Sequence, residues 1–305
     1  MNTRKKALLA VIIGNSIFGF SFLFSKTALE MTLPSVMLAV RFTTAFIVLN
    51  MIVFFGSHIK KKNGDQIIKF TLKGKPLKYV LLLSIFQPVI YFFAESYGIA
   101  YTSSAFAGTI IAVIPIVGII FDVFIMHVKV SVKQVICSVA SVIGVAITTL
   151  GAQNMKSSAI GVVLLLIAVV AGALFYVFSK KAGEYFNPLE RTYMMFAVGT
   201  ITYVTYSLIE CRGQYESLIV PAIMSLKFWG CILYLAVISS VVAFMILNYG
   251  SSYVSVSEAS LFANLTTVIS IVAGIVIVHE SFTVQQMIGA LLIIGSVYVA
   301  SVNKG

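Results

Sequence analysis

Four polar residues, Ser84, Gln87, Tyr91 and Glu95, follow one another at intervals of three and four residues inside an apolar stretch. At about 100° per residue in a helix they fall within about 80° of one another, so they share one face. A carboxylate, an amide and two hydroxyls on one face could bind a cation or hydrogen-bond a small polar ligand. Because polar groups are costly in hydrocarbon, such a stripe either bonds to neighbouring helices or lines a cavity, and we favour a cavity wall.

Two other apolar stretches carry hydrogen-bonding residues at helical spacing. In the first, Asn15, Phe22 and Lys26 share a face, and Phe18 lies beside them; later in the chain, Ser260 and Asn264 share another. These residues have two possible roles: they either let helices pack closely, or they form a wall of the same cavity. The full set of predicted substrate-binding residues is Asn15, Phe18, Phe22, Ser84, Gln87, Tyr91, Glu95, Tyr176, Ser260 and Asn264.

Charged residues inside the apolar stretches are candidates for gating or charge pairing. Arg41 and Glu95 lie six and four residues from the same end of their segments, a depth of roughly 6–9 Å. They are therefore expected near one mouth and able to pair, with Lys26 close by. A static ion pair, a gate and a clamp for a substrate carboxylate all remain open, and Glu95 is also a candidate carrier of a coupling proton. Asp122 and Lys180 are the candidate counterparts at the inner end.

The elements that must position these residues follow from composition. The mean hydropathy is +1.04, and charged residues are 10% of the 305. A chain of this composition has more apolar surface than a soluble protein can bury. Apolar runs of about 20 residues with short connections are transmembrane helices rather than barrel strands. Ten such segments are predicted, at 7–26, 35–55, 79–98, 104–126, 133–151, 159–179, 192–209, 228–249, 256–278 and 284–302.

The net charge of +11 is distributed like that of a membrane protein rather than a nucleic-acid binder. With the N-terminus inside, sixteen of the 21 basic residues fall on the cytoplasmic side, four fall outside, and Arg41 lies within a segment. This positive-inside asymmetry predicts that both termini are cytoplasmic.

The chain also repeats itself. The residues FSK at 24–26 recur 154 residues later, and YG at 97–98 recurs 152 residues later. Five segments in each copy force the second copy to enter the membrane from the opposite side. We therefore predict an all-α integral membrane protein with ten transmembrane helices in two inverted five-helix repeats, 1–155 and 156–305. Inverted repeats are typical of secondary transporters, although a duplicated bundle without transport is the alternative.

These features resemble the EamA family of the drug/metabolite transporter superfamily, over nearly the whole chain. Three motifs carry the resemblance. An early F…K…P…RF run is formed by Phe24, Lys26, Pro34, Arg41 and Phe42, and YG…YTSSA at 97–105 precedes a helix that contains Pro115. Near the C-terminus, a motif like the family's GE…G…G is formed by Glu280, Gly289 and Gly295. Thr267 departs from the family pattern, which has Pro there, and Val128 stands where the second half has Glu280. The resemblance implies a bacterial inner-membrane permease, usually an exporter of amino acids or other small metabolites. It also implies a central cavity between segments one, three, four, six, eight and nine.

Other function classes find less support in the sequence. No HExxH, GxSxG or P-loop is present, so we expect neither an enzyme nor ATP-driven transport. Three scattered Cys residues without CxxC predict no metal, cofactor or disulfide framework. The leading hypothesis is an exporter of a small metabolite, and the alternative is an exporter of cationic or lipophilic drugs with Glu95 as the cation site. The expected partners are a small-molecule substrate and the lipid bilayer, with protons as a candidate coupling ion and no nucleic acid; the oligomeric state stays open.

Overall fold

The computed structural model of the protein describes residues 3–58, 70–101, 110–150, 158–278 and 284–302, and the regular structure in these ranges is helical. Up to residue 150 the helices are α1 (Thr3–Leu29), α2 (Pro34–His58), α3 (Leu77–Ser84), α4 (Tyr91–Tyr101), α5 (Ile114–Phe124) and α6 (Val132–Leu150). The later helices are α7 (Ala159–Ala182), α8 (Pro188–Glu210), α9 (Tyr215–Leu218), α10 (Val220–Met224), α11 (Leu226–Leu233), α12 (Ala243–Ser251), α13 (Val256–Ala263), α14 (Leu265–Val278) and α15 (Val284–Val302).

Two long helices are interrupted. Tyr234–Val242 joins α11 to α12 with wider, π-type winding, and Ile85–Ile90 joins α3 to α4 through a kink. In the kinked stretch Gln87 has an extended backbone, with φ −146° and ψ 121°, directly before Pro88. Since Pro lacks an amide hydrogen and crowds the preceding turn, the kink at this point has a local cause.

In the described part of the chain, six helical segments are long and apolar enough to cross a membrane, and the four other predicted segments overlap shorter apolar helices. The six are Thr3–Leu29, Pro34–Gly56, Leu77–Gly98, Ala159–Ala182, Pro188–Glu210 and Leu226–Ser251. The four predicted segments at 104–126, 133–151, 256–278 and 284–302 contain α5, α6, α13 with α14, and α15. The regular structure of the described ranges is all-helical, as predicted, and their long apolar helices are consistent with a multi-pass membrane protein, while the count of ten spans, the inverted repeat and the side of the termini stay predictions.

Helices from the two parts of the chain pack against each other throughout. α6 packs on α15, α2 on α8, α4 on α7 and α5 on α13, while α1 lies against both α12 and α14. Small residues permit the closest approach: a Cβ added at Gly19 would lie 2.9 Å from the Thr266 carbonyl oxygen of α14. In a bilayer, where lipid is as apolar as the helix surface, such close packing and interhelical hydrogen bonds hold helices together.

Candidate functional site

A central cavity of about 200 Å³ lies among α1, α2, α4, α7 and the break between α13 and α14. Its wall is formed by Asn15, Phe18, Ser21, Ser25, Leu29, Met37, Leu38, Arg41, Gln87, Tyr91, Phe92, Glu95, Ser96, Ile111, Ala112, Ile114, Gly172, Phe175, Tyr176, Leu247, Ala263, Asn264, Thr266 and Thr267. Along α1 the wall of the cavity runs from Asn15 to Leu29, the last residue of the helix, which lies at the opposite end of α1 from Thr3.

The cavity contains one arginine held by neutral groups. Arg41 is 3% exposed, and it donates from Nε to Ser240 Oγ at 2.9 Å and from Nη2 to Ser239 Oγ at 3.0 Å. Its guanidinium carbon lies 5.1 Å from the centre of the Phe92 ring and 5.7 Å from that of Phe42, so two aromatic faces support the cation. Within the described residues Nη1 makes no hydrogen bond, which leaves this nitrogen for a ligand.

The same cavity contains one carboxylate. Glu95 Oε1 accepts a hydrogen bond of 2.9 Å from the Tyr91 hydroxyl, one helical turn earlier on α4. Oε2 has no partner in the described part of the chain. The predicted pairing with Arg41 is not present as a direct contact, since the described side chains of Arg41 and Glu95 have no N···O distance within 4.0 Å. Two opposite charges therefore line one cavity without neutralising each other directly.

Two amides and a phenol add hydrogen-bonding groups to the wall. Gln87 and Tyr176 are 8% and 6% exposed, both line the cavity, and neither side chain has a hydrogen bond to a described residue. Asn264 donates to Ser141 Oγ at 3.0 Å, and its carbonyl oxygen has no such partner. Because polar groups buried at this depth normally find partners, these atoms are positioned for water or a ligand.

Aromatic rings form much of the remaining wall. Phe18, Phe92, Phe175 and Tyr176 line the cavity, and Phe244 lies behind them with its ring centre 5.1 Å from that of Phe18 and 5.9 Å from that of Phe175. Edge-to-face contacts of this kind fix ring orientation. An apolar or aromatic ligand group would thus meet a preformed surface.

Of the predicted site residues, Asn15, Phe18, Gln87, Tyr91, Glu95, Tyr176, Asn264 and Arg41 line the cavity. The backbones of Phe22 and Lys26 belong to α1, but their side chains lie outside the described residues. Asn15 is 2% exposed and donates from Nδ2 to the Val11 carbonyl oxygen at 2.8 Å, so its amide nitrogen is already used within α1.

Two predicted serines do not reach the cavity. Ser84 is fully buried and donates to the Val80 carbonyl oxygen of its own helix at 2.7 Å. Ser260 donates to the Ser257 carbonyl oxygen at 3.2 Å and packs against Gly118, where an added Cβ would lie 2.6 Å from its Oγ. Both hydroxyls are satisfied within a helix, so each position is one of packing.

Asp122 and Lys180, predicted as counterparts at the inner end, lie in separate environments. Asp122 accepts hydrogen bonds from the backbone nitrogens of Val256 at 3.1 Å and Ser257 at 2.7 Å, so it caps the start of α13. Lys180 lies in a separate polar pocket of about 430 Å³ at the α7–α8 connection, together with Arg191. The carboxylate and the ammonium therefore have separate environments.

At the end of the bundle that carries Thr3, a polar network that the sequence did not reveal joins the helices. Arg191 is 1% exposed and donates to the Ser179 carbonyl oxygen at 2.6 Å and to Ser252 Oγ at 2.8 Å. Ser179 in turn donates to Asn248 Oδ1 at 2.8 Å, linking α7 to α12. Nearby, Arg4 of α1 forms an ion pair of 2.7 Å with Glu258 of α13. These contacts hold the helices together on the side away from the cavity mouth.

Sequence reasoning also missed parts of the cavity wall itself. Ser21 and Thr266 are isolated hydroxyls that a periodicity search would not separate from helix packing, and Met37 and Phe92 are ordinary apolar residues. The serines that hold Arg41 were missed because they belong to a different helix. The signal that could have identified them is two adjacent buried serines in a strongly apolar segment.

Comparisons with known proteins agree with this architecture. The model of the EamA-like transporter family matches residues 5–150 and again 159–302. An "Uncharacterized transporter YcxC" of Bacillus subtilis (strain 168) is 29% identical over 301 residues, covering 97% of this chain and 93% of its own. An "Uncharacterized transporter" of Archaeoglobus fulgidus is 22% identical over 97% of this chain and 98% of its own. A solved crystal structure has a TM-score of 0.78 at 14% identity, covering 97% of this chain and 96% of its own, which shows a common fold.

A helical bundle around a cavity lined by both polar and aromatic groups is consistent with a membrane transporter. The chain belongs to the EamA-like transporter family, as the match over both of its parts shows. The family and the relatives indicate transport rather than catalysis.

Proposed function

We propose that the protein is a secondary transporter of the cell membrane, the inner or plasma membrane, which exports amino acids or related small metabolites by alternating access. The observation that carries this proposal is the arrangement of Arg41 and Glu95, which face one cavity without a direct ion pair. A zwitterion would offer a carboxylate to Nη1 of Arg41 and an ammonium to Oε2 of Glu95.

Electrostatics supports a ligand that carries charge of both signs. A buried ion is costly unless a partner of opposite charge and sufficient hydrogen bonds compensate it. Among the described residues, Arg41 donates its hydrogen bonds to hydroxyls and contacts two phenylalanine rings, and Glu95 accepts one hydrogen bond, from a phenol. A zwitterion would compensate both groups in one binding event, whereas a purely cationic ligand would leave Arg41 uncompensated.

The shape of the cavity supports a ligand of modest size with an apolar part. The aromatic wall of Phe18, Phe92 and Phe175 lies in the same cavity as the two charged groups. Aromatic amino acids combine a zwitterionic end with an apolar ring, so they are the first substrates to try.

The main helix pairings support the two-part repeat that alternating access uses. Exchange of the first five predicted spans with the last five maps α6 with α15, α2 with α8 and α5 with α13 onto themselves, α1 with α12 onto α7 with α4, and α1 with α14 onto α7 with α5. The wall of the cavity runs to the Leu29 end of α1, and the Arg191 network joins the helices at the Thr3 end. With cytoplasmic termini, this arrangement corresponds to an outward-facing state.

The test is counterflow of labelled amino acids, phenylalanine included, into liposomes that contain the purified protein, with and without a pH gradient. Saturable exchange that weakens in Glu95→Gln and persists in the surface control Glu216→Gln would support the proposal. Acceleration of net efflux by an imposed pH gradient would support protons as the coupling ion. Absence of exchange for every amino acid would overturn the amino-acid assignment.

One observation favours a second candidate, an exporter of cationic drugs. The free oxygen of Glu95 lies in a cavity lined by aromatic rings, and rings with a carboxylate are how proteins bind quaternary ammonium groups. In the same liposomes, movement of a labelled quaternary cation without exchange of any amino acid would select this candidate.

A further inference from the structure

The π-wound stretch Tyr234–Val242 contains two serines that do not line the cavity but contact the residue that does. Ser239 and Ser240 are both fully buried, and both are hydrogen-bonded to the Arg41 guanidinium. Ser239 Oγ also lies 2.7 Å from Ser21 Oγ of α1. Two adjacent hydroxyls on one helix thereby fix the orientation of a guanidinium on another.

The equivalent place in the first half of the chain is a kink, with Gln87 extended directly before Pro88. The repeat offset of 152 residues carries Ile85–Ile90 onto 237–242, inside the π-wound stretch. By this offset Gln87 corresponds to Ser239, and Pro88 to Ser240.

A side chain from the other half contacts each stretch. Arg41 of α2 reaches the later one, and the Tyr203 hydroxyl of α8 lies 2.9 Å from the Val89 carbonyl oxygen in the earlier one. π-type turns inside α-helices are rare and are frequent at functional sites. The kink at Gln87 interrupts its helix at the matched position, so both halves of the chain depart from regular α-helix there.

The chemistry of the two hydroxyls suits an anion site. A carboxylate partner would hold Arg41 equally well, but it would also neutralise the guanidinium and compete with an anionic ligand. Hydroxyl oxygens accept hydrogen bonds without carrying a net charge. Because Nε and Nη2 are occupied, the planar guanidinium is left with Nη1 for the cavity, and its full positive charge is retained.

We propose that Ser239 and Ser240 are positioning residues that set the selectivity of the cavity for carboxylates by orienting Arg41. This inference rests on the proposed function, since it assumes that the carboxylate of the substrate binds at Arg41. It goes further by assigning selectivity to two residues that the substrate does not touch.

The experiment compares phenylalanine with phenylalaninamide, which lacks the carboxylate charge, as ligands that raise the unfolding temperature of the full-length protein purified in detergent. A ligand that binds only the folded state stabilises it by mass action, so the half-saturating concentration reports affinity without requiring transport. The variants are Ser239→Ala/Ser240→Ala, the hydroxyl-retaining Ser240→Thr, and the control Ser138→Ala, which removes a buried hydroxyl from α6 outside the cavity wall.

We expect the preference for phenylalanine over its amide to fall by about tenfold in the double alanine variant, since charge-assisted hydrogen bonds hold the guanidinium in place. The preference should stay near the wild-type value in Ser240→Thr and Ser138→Ala. If the double variant folds poorly, single Ser239→Ala and Ser240→Ala variants provide the same comparison, each with a smaller loss.

Two results would overturn the inference, and they can be told apart. An unchanged preference in the alanine variants, with clear stabilisation of the wild type by phenylalanine, would remove the positioning role and leave the proposed function intact. No stabilisation of the wild type by phenylalanine, by its amide or by the other amino acids would remove the proposed function and the inference with it.

Discussion

Replacement of Arg41 by methionine should abolish ligand binding while leaving the stability of the fold nearly unchanged. The buried guanidinium costs several kcal/mol of desolvation. Against this stand two charge-assisted hydrogen bonds, at 2.9 and 3.0 Å, worth about 1.5–3 kcal/mol each. Two ring contacts add about 0.5–1 kcal/mol each. These contributions nearly cancel, so Arg41→Met, which keeps the apolar volume of the stem, should change the free energy of unfolding by less than about 2 kcal/mol.

The effect on binding should be much larger than the effect on the fold. Loss of one partner from a desolvated charge pair costs about 2–5 kcal/mol, so affinity for a carboxylate ligand should fall by about 30-fold or more. Thermal unfolding of the purified protein, with and without phenylalanine, measures both quantities, and Arg212→Met is the control because Arg212 is exposed in a connection. A variant that unfolds more readily by over about 3 kcal/mol yet is still stabilised by phenylalanine would refute the reasoning and make Arg41 a structural residue.

Three further changes separate binding from stability. Glu95→Gln keeps an oxygen that accepts from Tyr91 but removes the charge, so affinity for ligands with an ammonium group should fall by about tenfold or more in competition assays, while carboxylates without an amine are unaffected. Gln87→Leu removes a buried amide that has no partner in the described residues, so the unfolding temperature of the protein should rise or stay constant. The same substitution should raise the half-saturating concentration of substrate, because the amide lines the cavity. A lower unfolding temperature would show that the amide is structural. Asp122→Ala removes the two hydrogen bonds that Asp122 accepts from the first turn of α13, in addition to the Ser255 cap, and should cost about 1–2 kcal/mol of stability at unchanged substrate affinity. Weaker binding without destabilisation would favour its predicted role at a gate.

The helices and much of the cavity could be predicted from sequence because hydrocarbon imposes simple rules. Long apolar runs must be helices, and polar residues within them must face protein or a cavity. The spacing of Gln87, Tyr91 and Glu95 therefore predicted their common exposure to the cavity, and all three line it. Ser84 satisfies the same spacing but not the same role, because a serine can donate to a carbonyl of its own helix and need not face anything polar.

The features that sequence did not predict depend on contacts between distant helices. The charge distribution assigns Arg191 to the cytoplasmic side and does not predict its burial, whereas its side chain is almost fully buried against Ser179 and Ser252. The serines at Arg41 lie about 200 residues away from it, as the separations of 198 and 199 show. The π-type winding follows no periodic pattern of residue types, so spacing rules that assume a regular helix cannot locate it.

The most direct test of the central claim, that Arg41 and Glu95 bind opposite ends of one zwitterion, is a competition series on phenylalanine counterflow. The competitors are 3-phenylpropanoate, which has only the carboxylate, and 2-phenylethylamine, which has only the ammonium group. They are measured with the wild type, with Glu95→Gln and with an Arg41→Lys variant, which keeps the charge but lacks the planar fork. We predict that inhibition by the carboxylate weakens only in Arg41→Lys and inhibition by the amine only in Glu95→Gln. Equal weakening of both competitors in both variants would contradict the claim.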